Sequence, residues 1–119
     1  MRPAECSSET AQWFLQRGFS VAFVLRRGFG TTGGTWEEDA GPCNRPDFIR
    51  PGLESARDIE ATVAYITSLP GIRPDGAVVA GVSAGGWATL AYNAVSHPKV
   101  VALLDFAGGL GGASRRPPE

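Results

Sequence analysis

The chain has 119 residues, 43% of them hydrophobic, and a formal net charge of −1, which fits one modest globular domain and argues against disorder throughout. This charge balance gives no electrostatic reason to expect nucleic acid or an anionic membrane as a partner. No apolar stretch approaches the roughly 20 residues of a membrane helix, and Met1 to Thr10 lack the apolar core of a signal peptide.

In chain order, Ser7 or Ser8 can cap a first helix with Ala11, Phe14 and Leu15 on its apolar face and Gly18 as a left-handed C-cap. Ser20 to Leu25 follows as the first predicted strand. From about Arg27 to Pro51 runs a loop rich in Gly, Thr and Pro, long enough to line a site, with Glu37, Glu38 and Asp39 read as a solvated face. The helical period returns from Leu53 to Leu69, with Ala56, Ile59, Val63 and Ile66 on one side and Pro70-Gly71 as the stop. Ala77 to Val82 is the second strand, a short apolar run of the kind a parallel strand buried on both faces shows. A third helix opens at Ala84 with Trp87, Leu90, Ala91, Ala94 and Val95 on one face, and Pro98 stops it. Val100 to Leu104 is the third strand, running into Asp105-Phe106-Ala107-Gly108-Gly109, and residues 111–119 read as a loose tail. Strands alternating with helices predict an α/β protein, three-layered around a mostly parallel sheet, in one domain over 1–119 with its core at about 5–110.

The most informative stretch is Gly81-Val82-Ser83-Ala84-Gly85, a serine between two glycines where a buried strand is predicted to turn into a helix. A serine there takes a strained backbone conformation, and side chains two residues to either side are expected to crowd the turn, so Gly81 and Gly85 meet a steric need. The helix opening at Ala84 points unpaired N–H groups and the positive end of its dipole at Ser83, which suits a developing oxyanion. Ser83 is thus the candidate nucleophile and the Ala84 N–H a candidate oxyanion donor.

Helix, strand, Arg27-Gly28-Phe29-Gly30 loop, helix ending in Leu69-Pro70, strand, Gly-x-Ser-x-Gly-Gly and helix together resemble the middle of an α/β-hydrolase, most closely the dienelactone hydrolase and prolyl-oligopeptidase-like branch. The resemblance covers about residues 5 to 110. It implies a partial α/β-hydrolase fold, truncated at both ends, and a serine hydrolase cleaving an ester, thioester or amide of a small molecule or peptide through an acyl-enzyme on Ser83, with no cofactor. Such a family orders nucleophile, acid and histidine along the chain, the last two on loops after later strands. The first oxyanion donor would come from a loop before Ser7, where Met1 to Cys6 carry no His-Gly-Gly type of segment. The chain by itself is therefore expected to be incomplete as a catalyst. Phe29, Trp36 and Phe48 are candidates to line an acyl or leaving-group pocket.

His97, the only histidine, follows the third helix at its far end, roughly 20 Å from Ser83 at 1.5 Å per residue, too far to serve as the base. Asp105 ends the third strand on the same sheet edge as Ser83 and is a candidate acid. The alternative is a strand-end aspartate with no catalytic role, since the commoner acid position is one strand later. Gly28-Phe29-Gly30-Thr31-Thr32-Gly33 fits a dinucleotide-binding pattern after a strand, but loop residues follow where a helix should open. A nucleotide-binding module using that loop, or a non-catalytic remnant, are the competing readings. Cys6 and Cys43 have no metal-ligand spacing and, with one histidine, predict no metal site. They can form one disulfide or none, and the compartment stays open.

Overall fold

A computed structural model of the chain describes residues 8–95 and 97–110, so Cys6, Ser7 and the predicted tail over 111–119 lie outside the described residues. Helix α1, Glu9–Leu15, is capped by Ser8, whose Oγ accepts from the Ala11 N–H at 3.2 Å, and Gly18 takes the expected left-handed φ of 86°. Helix α2 spans Ile49–Thr67 and starts earlier than its periodicity suggests. The Asp47 carboxylate accepts from the Ile49 and Arg50 N–H groups, and Pro51 falls in the first turn, where its missing N–H costs no hydrogen bond. Strand β1 is Ala77–Val82, helix α3 is Ala84–Asn93 and strand β2 is Val100–Phe106.

β1 and β2 pair in parallel, with Val79 opposite Leu103, Gly81 opposite Asp105 and Val82 opposite Phe106. α3 is the crossover between them and packs on both strands, with α2 packed against it. The core is formed by Ala56, Ile59 and Val63 of α2 with Ala88 and Tyr92 of α3, joined by Ala77, Val79, Val100 and Leu103 from the sheet. On the sheet, Val82, Val101 and Phe106 are exposed, so the third of the expected layers is not filled among the described residues. This is a partial α/β-hydrolase fold with helices on a parallel sheet.

Two sequence expectations need correction. Ser20–Leu25 forms no strand, because strand character requires a paired neighbour and β1 is hydrogen-bonded only to β2 among the described residues. Phe19, Val21 and Phe23 stay exposed along it. In α3 the buried positions are Gly86, Ala88, Thr89 and Tyr92, whereas Leu90, and Val95 beyond the helix end, are exposed. The helix is apolar almost all round, so periodicity alone could not select the stripe. Small residues decided it: they let α3 approach the sheet. On its other side Trp87 and Ala91 meet Gly52 of α2, where a Cβ would come within 2.7 Å of the Trp87 indole nitrogen.

Candidate active site

β1 delivers the chain to Ser83 and α3 begins at the next residue. Ser83 has φ 54° and ψ −120°, a conformation that residues other than glycine rarely adopt, and it is exposed. Its backbone is held on both sides. The Ser83 N–H donates to the Phe106 carbonyl at 3.0 Å, and its carbonyl accepts from the Trp87 N–H at 2.9 Å and the Gly109 N–H at 3.1 Å. The turn that brings Gly109 there runs through Ala107, the other non-glycine residue with positive φ, at 51°. No hydrogen-bond partner takes the Ser83 hydroxyl among the described residues, and the Ala84 N–H has no acceptor among them.

The three glycines around the turn differ. A Cβ on Gly81 would collide with the Gly85 carbonyl and stand 2.6 Å from Thr89 Oγ1, itself bonded to the Gly85 carbonyl at 2.9 Å. A Cβ on Gly85, by contrast, would meet only Arg26 Nη1 at 3.4 Å. The second steric requirement falls instead on Gly86, whose Cβ would collide with Asp105 Oδ1. The crowding expected two residues after the serine therefore lies three residues after it, because position 86 faces the sheet.

Asp105 is exposed at the end of β2, with its carboxylate against Gly86 and Gly108 beside the first turn of α3. His97 sits at the opposite end of the sheet, its carbonyl accepting from the Val100 N–H at 3.0 Å and its ring 5.6 Å from that of Tyr92. The seven residues of β2 separate it from the Ser83 end, roughly 20 Å at 3.3 Å per residue. The structure therefore brings Ser83, Ala84 and Asp105 to one edge and leaves His97 at the other.

The loop before α2 was only partly legible. Glu37, Glu38 and Asp39 are no solvated face: Glu38 is nearly buried and pairs with Arg26, Glu37 meets Arg50 at 2.9 Å, and Asp39 accepts from the Gly41 N–H at 2.8 Å. Arg27 ties the loop to α2, its Nε 2.7 Å from Asp58 and its Nη2 3.0 Å from Glu54. Those bonds raise the Arg27 pKa, and the Arg27 guanidinium holds the Glu54 carboxyl below its ordinary value. Phe48 lines an apolar recess of about 190 Å³ with Trp87, Gly109 and Leu110, and its carbonyl accepts from the Trp87 indole at 2.8 Å. Phe29 is buried, and Trp36 packs on Gly28 with its indole nitrogen buried and unpartnered among the described residues.

The glycines from 28 to 33 close on themselves, with the Gly28 N–H on the Gly33 carbonyl at 2.8 Å around a three-residue 3-10 turn at Gly30–Thr32. No helix opens on them, so they lack the geometry that receives a pyrophosphate. Arg26 and the Ala107–Gly109 turn carried no sequence signal as site elements, since each acts through a contact distant in the chain, and Gly86 was hinted at only by the Gly85-Gly86 pair.

A family model described as the prolyl oligopeptidase family matches residues 5–103. No curated protein and no solved structure matches the chain.

Proposed function

The chain belongs to the prolyl oligopeptidase family, and on that premise we propose that Ser83 is the nucleophile of a serine hydrolase and that the turn around it is a nucleophile elbow. The observation that supports this is the backbone of Ser83, held at φ 54° between a parallel strand and a helix with its side chain in the open. A strained conformation kept by three backbone hydrogen bonds has no packing purpose at an exposed residue, and strain of this kind concentrates at functional sites.

In the proposed reaction Ser83 Oγ bonds to the carbonyl carbon of an ester, thioester or amide, and the bond from that carbon to oxygen, sulfur or nitrogen breaks. The hydroxyl proton ends on the leaving atom, and water later releases the acyl group from Ser83. The Ala84 N–H, free of other acceptors among the described residues, holds the oxyanion. The recess of Phe48, Trp87, Gly109 and Leu110 takes a small apolar group of the substrate, in the manner of a dienelactone hydrolase-like enzyme. Asp105 is assigned to support of the α3 turn, because Gly86 and Gly108 press against its carboxylate and no histidine lies at that edge. No described residue is assigned the role of general base.

Peptide mapping after treatment with an alkyl fluorophosphonate tests the reading. Ser83 Oγ bonds to phosphorus, fluoride leaves and the proton goes to solvent. Without a base, labelling runs about 10²–10⁴-fold below an assisted serine, yet Ser83 should react ahead of Ser8, Ser20, Ser55 and Ser68, and Ser83→Ala should abolish the modified peptide. Equal labelling of all these serines would overturn the assignment.

A further inference from the structure

Arg26 and Arg27 stand side by side, yet they are used differently. Arg27 is engaged through both Nε and Nη2, on the Asp58 and Glu54 carboxylates and on the Glu54 carbonyl at 2.8 Å. Arg26 is the more enclosed, its side chain 17% exposed, but only its Nε is bonded, to Glu38 Oε1. That carboxylate, 7% exposed, also accepts from Ser55 Oγ at 3.2 Å, which anchors it to α2. A guanidinium carries five N–H donors in a planar fork. The four on Nη1 and Nη2 have no acceptor among the described residues.

The place of that fork gives it meaning. Its central carbon lies 4.9 Å over the buried Phe29 ring, and Nη1 comes 3.4 Å from where a Cβ on Gly85 would stand, with no other described atom within 4 Å of that point apart from the neighbouring residues and backbone of α3 itself. Gly85 is two residues from Ser83. Arg26 Nη1 therefore stands beside the serine turn, next to the space that a side chain at position 85 would take. Arg27, by contrast, spends Nε and Nη2 on α2.

We propose that Arg26 is a specificity residue of this site and binds a carboxylate carried by the substrate, so that the preferred substrates are esters or amides with one anionic group close to the scissile carbonyl. The assignment rests on Ser83 being the nucleophile. A carboxylate fits because it is planar and meets the Nη1/Nη2 edge with two parallel hydrogen bonds. Glu38 already neutralises one unit of charge, which disfavours a doubly charged group such as a phosphate monoester.

Two fluorophosphonates of equal chain length, one ending in a methyl and one in a carboxylate, test this on the full chain by intact-mass kinetics. The carboxylate probe should modify Ser83 about tenfold or more faster. Arg26→Met should remove the difference, and Arg26→Lys, which keeps the charge without the fork, should keep part of it. Equal rates for the two probes on the unmodified chain would overturn the proposal whatever the variants do, as would a preference surviving in Arg26→Met. Failure of both probes to select Ser83 over the other serines is the separate result that removes the nucleophile, and this inference with it.

Discussion

The Asp105 carboxylate occupies the ground on which any side chain at Gly86 would stand, and the Gly108 Cα closes the same space at 2.8 Å. Gly86→Ala therefore forces either β2 or α3 to shift, an overpacking cost of about 1–3 kcal/mol. Adding Asp105→Ala should return part of that loss, because the two changes share one contact. Urea unfolding of the single and double variants measures it, and strict additivity would show that the carboxylate is not what Gly86 accommodates.

Gly85→Ala should behave oppositely. It places a methyl in contact with only a flexible guanidinium and replaces a helical glycine, so stability should hold or rise by up to about 1 kcal/mol. Gly81→Ala, which meets the Gly85 carbonyl, should lose stability. Thermal melts of this pair rank the two flanks of the turn, and equal losses would mean that the turn is symmetric after all.

Ser83→Gly should stabilise the chain by about 1 kcal/mol, since a positive φ on a non-glycine residue costs on the order of 1–3 kcal/mol and glycine gives back part of that in chain entropy. Ser83→Ala keeps the Cβ and should change little. A destabilised glycine variant in urea titrations would show that the turn is unstrained.

His97→Gln should leave the rate of fluorophosphonate labelling at Ser83 unchanged, because the histidine stands beyond the far end of β2. A drop of tenfold or more in the mass-spectrometric rate would place His97 within reach of the serine.

Acid should weaken the anchor of the loop on α2. The Arg27 hydrogen bond, opposed by burial, lowers the Glu54 pKa from its ordinary 4.5. A depressed folded value means that the contribution is present in full above the ordinary pKa and is lost as pH falls through the lower folded one. Urea midpoints of the native chain and Glu54→Gln should differ at neutral pH and converge in acid. A constant difference across that range would show that the pairing adds nothing.

The serine turn was readable because its signal is local: an apolar β-branched run, glycines at fixed offsets and a helical period within twenty residues. Ser83, Ala84, the start of α3 and the parallel pairing of β1 with β2 all follow from it. What was not readable depends on contacts across the chain. The segment at Ser20–Leu25 has the composition of a strand but no partner among the described residues to make it one, and the face of α3 was chosen by how closely Ala88 and Thr89 approach the sheet. Acidic residues in a loop look alike in sequence whether solvated or, like Glu38, enclosed against Arg26 and Ser55.

The bare side of the sheet makes concentration an experimental variable. Among the described residues Val82, Val101 and Phe106 are left exposed beside a β1 edge with open backbone donors and acceptors, the combination that recruits detergent, dye or another copy of the same chain. Light scattering across a dilution series therefore belongs before any kinetic measurement, and a fluorescent apolar dye should brighten on the folded chain as strongly as it does on partly unfolded proteins.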